Sequence, residues 1–173
     1  VYAIYSARGI SYENGSYPPT RNPHHTVSPS AFLGGGVHLN AGEITLAHRG
    51  TLLLDELAEF KRACLEGLRE PMENHNISIS RGGKQFIFPA DMMVVATTNP
   101  CPCGHYPDRE KCKCSVTERS RYLKKISHPL MERFDMILWA EPVEFSEFEK
   151  EVEHSSVIAQ RIIYGRKRQA ERY

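Results

Sequence analysis

The sequence of 173 residues lacks a hydrophobic run long enough to cross a membrane. A membrane helix needs about 20 consecutive apolar residues, and no stretch approaches that length. The first residues, Val1 to Tyr5, also lack the basic start and long apolar core of a signal peptide. Net charge is nearly absent, because 22 Lys and Arg face 21 Asp and Glu, so bulk charge alone would not draw the chain to nucleic acid. We therefore expect a cytoplasmic protein without a membrane partner.

What the sequence does contain is the composition of one compact domain. Hydrophobic residues make up 40% and charged residues 25%, which is a globular balance. A chain of this length can bury one hydrophobic core and is too short for two domains of ordinary size. The five cysteines, without a secretion signal, indicate a reducing compartment, in which clustered cysteines favour a metal site over disulfides.

Continuous apolar runs predict buried strands that alternate with helices, which is typical of an α/β fold with a parallel sheet. The clearest runs cover residues 51–54, 92–98 and 136–140. A loop is predicted over residues 1–23 and a short strand over 24–27. Helical segments are predicted over residues 29–33, 43–48, 57–72, 117–126, 129–134 and 146–173.

A β-hairpin with a basic tip is predicted over residues 77–88. Two alternating runs flank Arg81-Gly82-Gly83-Lys84, and Gly-Gly between such runs is a hairpin turn signal. On these residues alone, an ordinary solvent-exposed turn explains the pattern.

Two acidic residues, Asp55 and Glu56, directly follow the first buried strand. In an open α/β sheet, ligands bind outside the carboxyl ends of the strands. There, one acid can hold Mg²⁺ through water and a second can activate a water nucleophile. The alternative is a buried strand that merely runs out into polar residues.

Asn99 and Arg133 occupy comparable positions further along the chain. Asn99 follows the second buried strand, where its carboxamide could orient a water or contact a γ-phosphate, or form only an Asn-Pro turn. Arg133 lies at the end of a short predicted helix, just before the third strand. An arginine there could compensate transition-state charge on a neighbouring subunit's nucleotide, or pair on the surface with Glu132 or Asp135.

Four of the five cysteines form two Cys-x-Cys pairs within residues 101–114. Four thiolates in a short loop can bind Zn²⁺ tetrahedrally, with free thiols or disulfides formed after isolation as the alternatives. His105 could replace one ligand, and Cys64, on an apolar helix face, is expected in the core. The predicted metal ligands are Cys101, Cys103, Cys112 and Cys114.

Together these parts resemble an AAA+ ATPase, because they follow the same order along the chain. That order is a strand that ends in Asp-Glu, a helix, a hairpin, a strand that ends in Thr-Asn-Pro, a helix that ends in Arg-Phe-Asp, and a further strand. Residues 41–56 resemble the Walker B region of the magnesium-chelatase-related ATPases, and residues 88–100 resemble their sensor 1 strand. Within that group the chain is most similar to the bacterial ComM (YifB) family, from about Tyr5 to its C-terminus. The marks of that family are Pro23-His24-His25-Thr26, Leu57 to Arg62, Asn99 to Gly104 and Arg121-Tyr122-Leu123.

The resemblance implies that residues 1–173 are the central part of an ATP-hydrolysing module. Such modules form hexameric rings that move on DNA, here for branch migration in recombination and natural transformation, with ATP and Mg²⁺ as cofactors. The resemblance assigns Asp55 as the Mg²⁺ ligand, Glu56 as the water-activating base, Asn99 as sensor 1 and Arg133 as an arginine finger acting in trans.

The same resemblance implies roles for the segments outside this site. The hairpin would be the pre-sensor-1 hairpin that faces the pore, which makes Arg81 and Lys84 candidate DNA contacts. Residues 32–44 would be the helix-2 insert, and residues 146–173 would lead toward a helical lid. His24-His25 would bind metal or phosphate, or have a structural role near the nucleotide pocket.

One expected motif is missing, because the chain has no Gly-x-x-x-x-Gly-Lys-Ser/Thr loop. The backbone N–H groups and the Lys of that loop hold the phosphates of the nucleotide. In the family, this loop and strand 1 of a 5-1-4-3-2 sheet come before the segment that Val1 begins. We therefore expect an incomplete AAA+ core, in which residues 136–140 lack their neighbour and which alone is inactive and binds ATP weakly or not at all.

Two other functions fit parts of the sequence. A magnesium-chelatase motor subunit, which helps to insert Mg²⁺ into protoporphyrin, shares the ATPase motifs. The Cys-rich insert and the His-His motif favour the function of the ComM family over that of a magnesium-chelatase subunit. A non-catalytic zinc-binding interaction module would use the Cys loop and the exposed hairpin.

Overall fold

The computed structural model describes residues 1–12, 17–141 and 153–172. They divide into two compact units, Val1–Met136 and Ile137–Tyr173. The first unit contains the sheets and the cysteine loop, and the second contains one long helix. Within these ranges, no helix is both long and apolar enough to span a membrane.

Helices and strands alternate along the first unit. Its helices are α1 (Tyr2–Ala7), α2 (Pro29–Leu33), α3 (Glu43–Leu46), α4 (Arg62–Gly67), α5 (Arg69–Asn74), α6 (Val116–Leu123) and α7 (His128–Met131), with a 3-10 turn at Leu57–Glu59. Its strands are β1 (Thr20–Arg21), β2 (Gly34–Gly35), β3 (Asn40–Ala41), β4 (Thr51–Leu54), β5 (Asn76–Arg81), β6 (Lys84–Pro89) and β7 (Met93–Ala96). The second unit holds α8 (Ser155–Ala170).

Three parallel strands form the central sheet, in the order β1-β4-β7. β4 pairs with β7 over its whole length, from Thr51 opposite Met93 to Leu54 opposite Ala96. Leu52 and Leu54 are fully buried among the helices that flank the sheet. The predicted α/β fold with a parallel sheet is confirmed. Because the strands are parallel, the carboxyl ends of β4 and β7 lie side by side.

Gly50 allows the chain before β1 to approach β4 closely. The Thr51 N–H donates a hydrogen bond of 2.8 Å to the carbonyl oxygen of Pro19. A Cβ atom at residue 50 would lie 1.9 Å from that same oxygen. Only glycine fits at this position, so the pairing that begins the sheet depends on it.

The predicted hairpin is confirmed, with bounds one residue wider at each end. β5 and β6 pair antiparallel from Asn76 opposite Pro89 to Arg81 opposite Lys84. Both turn residues have positive φ, 55° at Gly82 and 73° at Gly83, which is the type I′ geometry that suits a two-residue hairpin. Within residues 32–44, β2 and β3 form a second, smaller antiparallel pair.

The predicted strand over residues 136–140 is wrong. The segment has no regular structure, and its side chains are strongly exposed, from 61% at Trp139 to 79% at Leu138. A strand forms only where a neighbour satisfies its backbone hydrogen bonds, and no described strand pairs with this segment. Its apolar sequence therefore does not make it a strand here.

β7 is also less buried than its apolar sequence predicts. Its apolar sequence predicts burial on both faces, but Met93 is 56% exposed and Val95 is 40% exposed. Among the described residues, β7 pairs with β4 alone and forms one edge of the sheet.

Near the N-terminus, two predictions are wrong. Residues 1–23 are not all loop, because α1 forms there and its Tyr5 is buried, donating a hydroxyl hydrogen bond to the Leu46 carbonyl (3.0 Å). The short strand lies at β1 rather than at residues 24–27, which instead form a turn closed by the Val27 N–H and the His24 carbonyl.

The single helix predicted over residues 57–72 is divided into the 3-10 turn, α4 and α5. Pro71 has no N–H to donate to the carbonyl of Gly67, where α4 ends, so the helix restarts rather than continuing. The C-terminal helix is present as α8, whereas the predicted capping box at Ser146 and Glu149 lies outside the described residues.

Candidate functional site

The carboxyl ends of β4 and β7 bring the two predicted acids to a threonine that follows the neighbouring strand. The Thr97 hydroxyl donates to Asp55 Oδ1 and accepts a 3.2 Å hydrogen bond from the N–H of Glu56. Backbone hydrogen bonds hold the same place, from Leu57 N–H to the Thr97 carbonyl (2.8 Å) and from Thr97 N–H to the Leu54 carbonyl (3.0 Å). The position of both acids is therefore fixed from β7.

Sequence reasoning missed Thr97. Its position in the sequence is the signal that could have identified it, because Thr97 is the first polar residue after the apolar run of β7, as Asp55 is after β4. Parallel strands bring such residues together at one edge of the sheet.

Glu56 has an unusual backbone conformation, with φ 55° and ψ 51° in the left-handed region. For a residue other than glycine this costs on the order of 1 kcal/mol or more, and such strain is typical of functional sites. The side chain is half exposed, and its Oε2 lies 3.2 Å from Nδ1 of His25. The His25 ring in turn stacks against His24, with 4.1 Å between ring centroids. The structure therefore places the His-His motif beside the candidate base.

The acids leave room for a divalent cation. Asp55 is exposed and uses only Oδ1 in its hydrogen bond with Thr97, so within the described ranges Oδ2 has no protein partner. Mg²⁺ takes one or two carboxylate ligands and keeps several waters. The residues present therefore fit a cation held by Asp55.

Asn99 lies three residues beyond β7 and is exposed. Among the described residues, no hydrogen bond joins its side chain to Asp55 or Glu56. A Cβ atom placed on Gly104 would lie 3.8 Å from Asn99 Oδ1, so the start of the cysteine loop lies near this carboxamide.

Arg133 pairs with neither Glu132 nor Asp135. One of its guanidinium nitrogens donates to Glu73 on α5 and another to the carbonyl of Pro129, and the side chain is 24% exposed. The structure thus brings Arg133 to Glu73 of α5 and not to Asp55 or Glu56. Glu73 is a second residue that sequence reasoning missed.

Arg81 and Lys84 lie opposite each other at the tip of the β5–β6 hairpin, and both are exposed. Neither forms a salt bridge with any carboxylate in the part of the chain that the structure describes. Their charges are available to solvent or to an anionic partner.

The two Cys-x-Cys pairs converge. Their four sulfur atoms all lie within 4.8 Å of one another, and His105 is not among the converging groups. The Cys101 sulfur is 3.4 Å from that of Cys103 and 3.8 Å from that of Cys112, distances well beyond a disulfide bond of about 2.05 Å. Cys64 is buried in the core, as predicted.

The acidity of these thiols is strongly uneven. Burial opposes ionisation of Cys101, but the N–H of Tyr106 and the thiols of Cys103 and Cys112 outweigh it and lower its pKa to about 6. The N–H of Cys103 favours the thiolate of Cys114, yet the Cys103 thiol, burial and the charge nearby raise the pKa of Cys114 to about 12. Without a cation, the first negative charge in the cluster opposes further ionisation.

Comparison with known proteins places this site in a family. Residues 1–148 match the family described as magnesium chelatase, subunit ChlI. The protein YifB of Escherichia coli is 41% identical over 157 residues, which are 89% of this chain and 31% of YifB. The competence protein ComM of Haemophilus influenzae is 42% identical over 127 residues, 73% of this chain and 25% of ComM.

A more distant relative is the probable DNA helicase MCM9 of rice (Oryza sativa subsp. indica). It is 30% identical over 105 residues, which are 61% of this chain and 14% of that protein. The chain spans about a third of the length of YifB and a quarter of that of ComM. The family match covers the sheet, the acids, the hairpin and the cysteine loop. This chain belongs to the magnesium chelatase, subunit ChlI, family.

Proposed function

We propose that this chain supplies the hydrolysis and sensing residues of an AAA+ ATPase. The observation that carries the proposal is the fixed arrangement of Asp55 and Glu56 beside Thr97, where β4 and β7 end. Phosphoryl transfer is catalysed mainly by positioning and by compensation of charge, which this rigid edge can provide. The chain itself lacks a Gly-x-x-x-x-Gly-Lys-Ser/Thr loop, so the proposed enzyme combines it with a phosphate-binding loop in a longer protein.

In this proposal the two acids have separate roles. Asp55 directs a free carboxylate oxygen outward and holds Mg²⁺, which neutralises charge on the phosphates of ATP. Glu56, half exposed and 3.2 Å from His25, accepts a proton from the attacking water. The His25 contact orients the Glu56 side chain.

Asn99 and Arg133 complete the proposed site from two directions. Asn99 stands on the same edge of the sheet as the acids and acts as sensor 1, orienting the water or contacting the γ-phosphate. Arg133 acts as an arginine finger in trans, because it follows α7, donates to Glu73 of α5 and to the Pro129 carbonyl, and among the described residues makes no hydrogen bond with Asp55 or Glu56 of its own chain. This role requires an oligomer, which the resemblance makes a hexameric ring.

We propose that the ATPase uses ATP hydrolysis to move along DNA. Support comes from the exposed basic tip of the hairpin and from two relatives, one named a competence protein and one a probable DNA helicase. The exposed Arg81 and Lys84 would follow backbone phosphates without reading sequence. Translocation of this kind would drive branch migration in recombination and natural transformation.

A magnesium-chelatase motor subunit is the second candidate, and the description of the matching family favours it. The two functions share the ATPase site and differ in the partner. Stimulation of ATP hydrolysis by DNA supports the proposal, whereas Mg²⁺ insertion into protoporphyrin in the presence of a partner subunit supports the alternative.

The decisive variant is Glu56→Gln, made in a longer protein that joins this chain to a phosphate-binding loop. Loss of a general base costs about 10²- to 10⁴-fold in rate, so we expect phosphate release to fall by that factor while ATP binding is retained. Glu59→Gln is the matched control, because Glu59 is a nearby exposed acid that pairs with Lys125 instead. Unchanged hydrolysis in Glu56→Gln would contradict the assignment and would favour a non-catalytic zinc-binding module.

A further inference from the structure

The cysteine loop has no part in the proposed hydrolysis, yet it brings four cysteine sulfur atoms together. We propose that it binds one structural zinc ion, which fixes the loop behind Asn99. The proposed ligands are the sulfur atoms of Cys101, Cys103, Cys112 and Cys114. The zinc site stands on its own geometry, and only its consequence for Asn99 rests on the proposed ATPase.

The spacing of the sulfur atoms fits a tetrahedral ion. With Zn–S bonds of about 2.3 Å, the sulfur atoms of a regular tetrahedron lie about 3.8 Å apart. The measured distances are 3.4 Å for Cys101–Cys103, 3.8 Å for Cys101–Cys112 and 3.7 Å for Cys103–Cys112. All four atoms, Cys114 included, lie within 4.8 Å of one another, so one central ion can reach each of them.

The four cysteine ligands determine which metal the site prefers and whether the metal is structural or catalytic. Four thiolates in a tetrahedron suit zinc, or iron among redox metals, and exclude the hard cations Mg²⁺ and Ca²⁺. Because protein ligands fill all four positions, no open position is left for substrate or water. The ion is therefore structural rather than catalytic.

The loop between the two pairs is shaped to return the second pair to the first. The Asp108 carboxylate accepts hydrogen bonds from the N–H groups of Glu110 (2.9 Å) and Lys111 (3.2 Å). The N–H of Cys112 donates to the Asp108 carbonyl (2.8 Å), and the N–H of Gly104 donates to the Cys101 carbonyl (3.0 Å). Two local turns thus position the ligands.

Both ends of the loop are anchored to regular structure. Cys101 is fully buried, five residues after β7 ends. At the other end, Arg119 of α6 donates to the Cys114 carbonyl (3.2 Å) and stacks over the Tyr106 ring at 4.4 Å. An ion at the centre would therefore join β7 to α6 through the loop.

Between those anchors, apolar packing contributes little. Residues 102–111 are all exposed, so burial does not hold the segment in place. Gly104, with φ 78°, nevertheless lies near the Asn99 carboxamide, since a Cβ atom built on it would be 3.8 Å from Asn99 Oδ1. We infer that loss of the ion would let this part of the loop move and would free Asn99 to leave its position.

The first test is metal content of this chain after purification under thiol reductant and exhaustive dialysis. We expect about one zinc per chain in the wild type, and Co²⁺ substitution to give thiolate-to-cobalt charge-transfer bands with tetrahedral d–d bands. The double variant Cys112→Ser/Cys114→Ser should lose both the metal and the bands. Cys64→Ala is the matched control and should keep them.

The outcomes are distinguishable. Zinc that persists in the double variant would be adventitious binding to the eight histidines, and it would overturn the proposal. Wild-type protein that holds no metal and gives no cobalt bands, or that holds iron, would overturn it as well. Hydrogen exchange then tests the consequence: zinc removal should speed exchange in residues 99–106 and leave the β5–β6 hairpin unchanged. Equal exchange with and without zinc would refute the link to Asn99.

Discussion

At the scale of single residues, the site depends on a hydroxyl that belongs to no catalytic motif. The Thr97 hydroxyl donates a hydrogen bond to the Asp55 carboxylate and accepts one from the backbone N–H of Glu56. Glu56 needs this support because its left-handed conformation is unfavourable. The acids could be found from the sequence, since a buried strand that ends in Asp-Glu is a visible pattern. Their partner could not, because its role arises only when β7 pairs with β4 in the observed register.

Replacing Thr97 by Val should separate the acids from β7 while keeping the shape of the side chain. A hydrogen bond to a charged group contributes about 1.5–3 kcal/mol at most sites, so we expect hydrolysis to slow by roughly tenfold or more in the longer ATPase. Single-turnover phosphate release measures this effect. Thr98→Val is the control, because the Thr98 hydroxyl donates to the Asn99 carbonyl (3.4 Å) and, among the described residues, forms no hydrogen bond with Asp55 or Glu56. An equal effect of both variants would mean that Thr97 has no special role.

At the scale of elements, the sequence pattern predicted a helix or hairpin correctly where that element satisfies its backbone hydrogen bonds with its own residues. The β5–β6 hairpin needs only its two strands and a Gly-Gly turn, and it forms as predicted. α2 likewise starts at Ser28, whose Oγ accepts a 3.2 Å hydrogen bond from the Ala31 N–H. Residues 136–140 failed for the opposite reason, since a strand needs a neighbour that an apolar pattern cannot specify.

The hairpin also carries the prediction about DNA. Each phosphate contact that is removed should reduce the slope of log affinity against log salt by about 0.7 for single-stranded DNA. We therefore expect Arg81→Ala/Lys84→Ala to lower that slope by about 1.4 and to weaken binding equally for all sequences. Fluorescence anisotropy with labelled single strands at several salt concentrations measures both quantities.

Lys61→Ala is the control for that measurement. Lys61 is an exposed lysine before α4 and lies outside the hairpin, so its loss tests whether any surface cation has the same effect. The same salt slope in the wild type and in the hairpin double variant would rule out the hairpin as the DNA contact.

At the scale of the whole molecule, the proposed ATPase site is divided between this chain and a phosphate-binding loop that the chain lacks. The family match spans residues 1–148, whereas the chain spans about a third of the length of YifB. The acids, Thr97 and Asn99 all lie at the carboxyl edge of the sheet, which has three parallel strands in the part of the chain that the structure describes. Composition and length predict one globular domain, whereas the order of the motifs predicts the central part of a larger one, and that second point stays a prediction.

This division leads to a prediction for the chain on its own. ATP binding in such enzymes depends on backbone N–H groups and a lysine that surround the phosphates, and this sequence contains no such loop. Asp55 and Glu56 are negatively charged and repel the triphosphate unless Mg²⁺ lies between them. Submicromolar affinity needs more than about 8 kcal/mol of binding free energy, which a single Mg²⁺-bridged carboxylate does not provide.

Calorimetric titration of the chain with Mg-ATP should therefore give binding weaker than micromolar or no measurable heat. Any residual binding through the bridged cation should disappear in Asp55→Asn and persist in Glu59→Gln, whose side chain lies off the site. Submicromolar binding by the wild-type chain would instead mean that these residues hold the phosphates in a way that needs no Gly-rich loop. The division of the nucleotide site would then be wrong, even if the roles of Asp55 and Glu56 in hydrolysis are right.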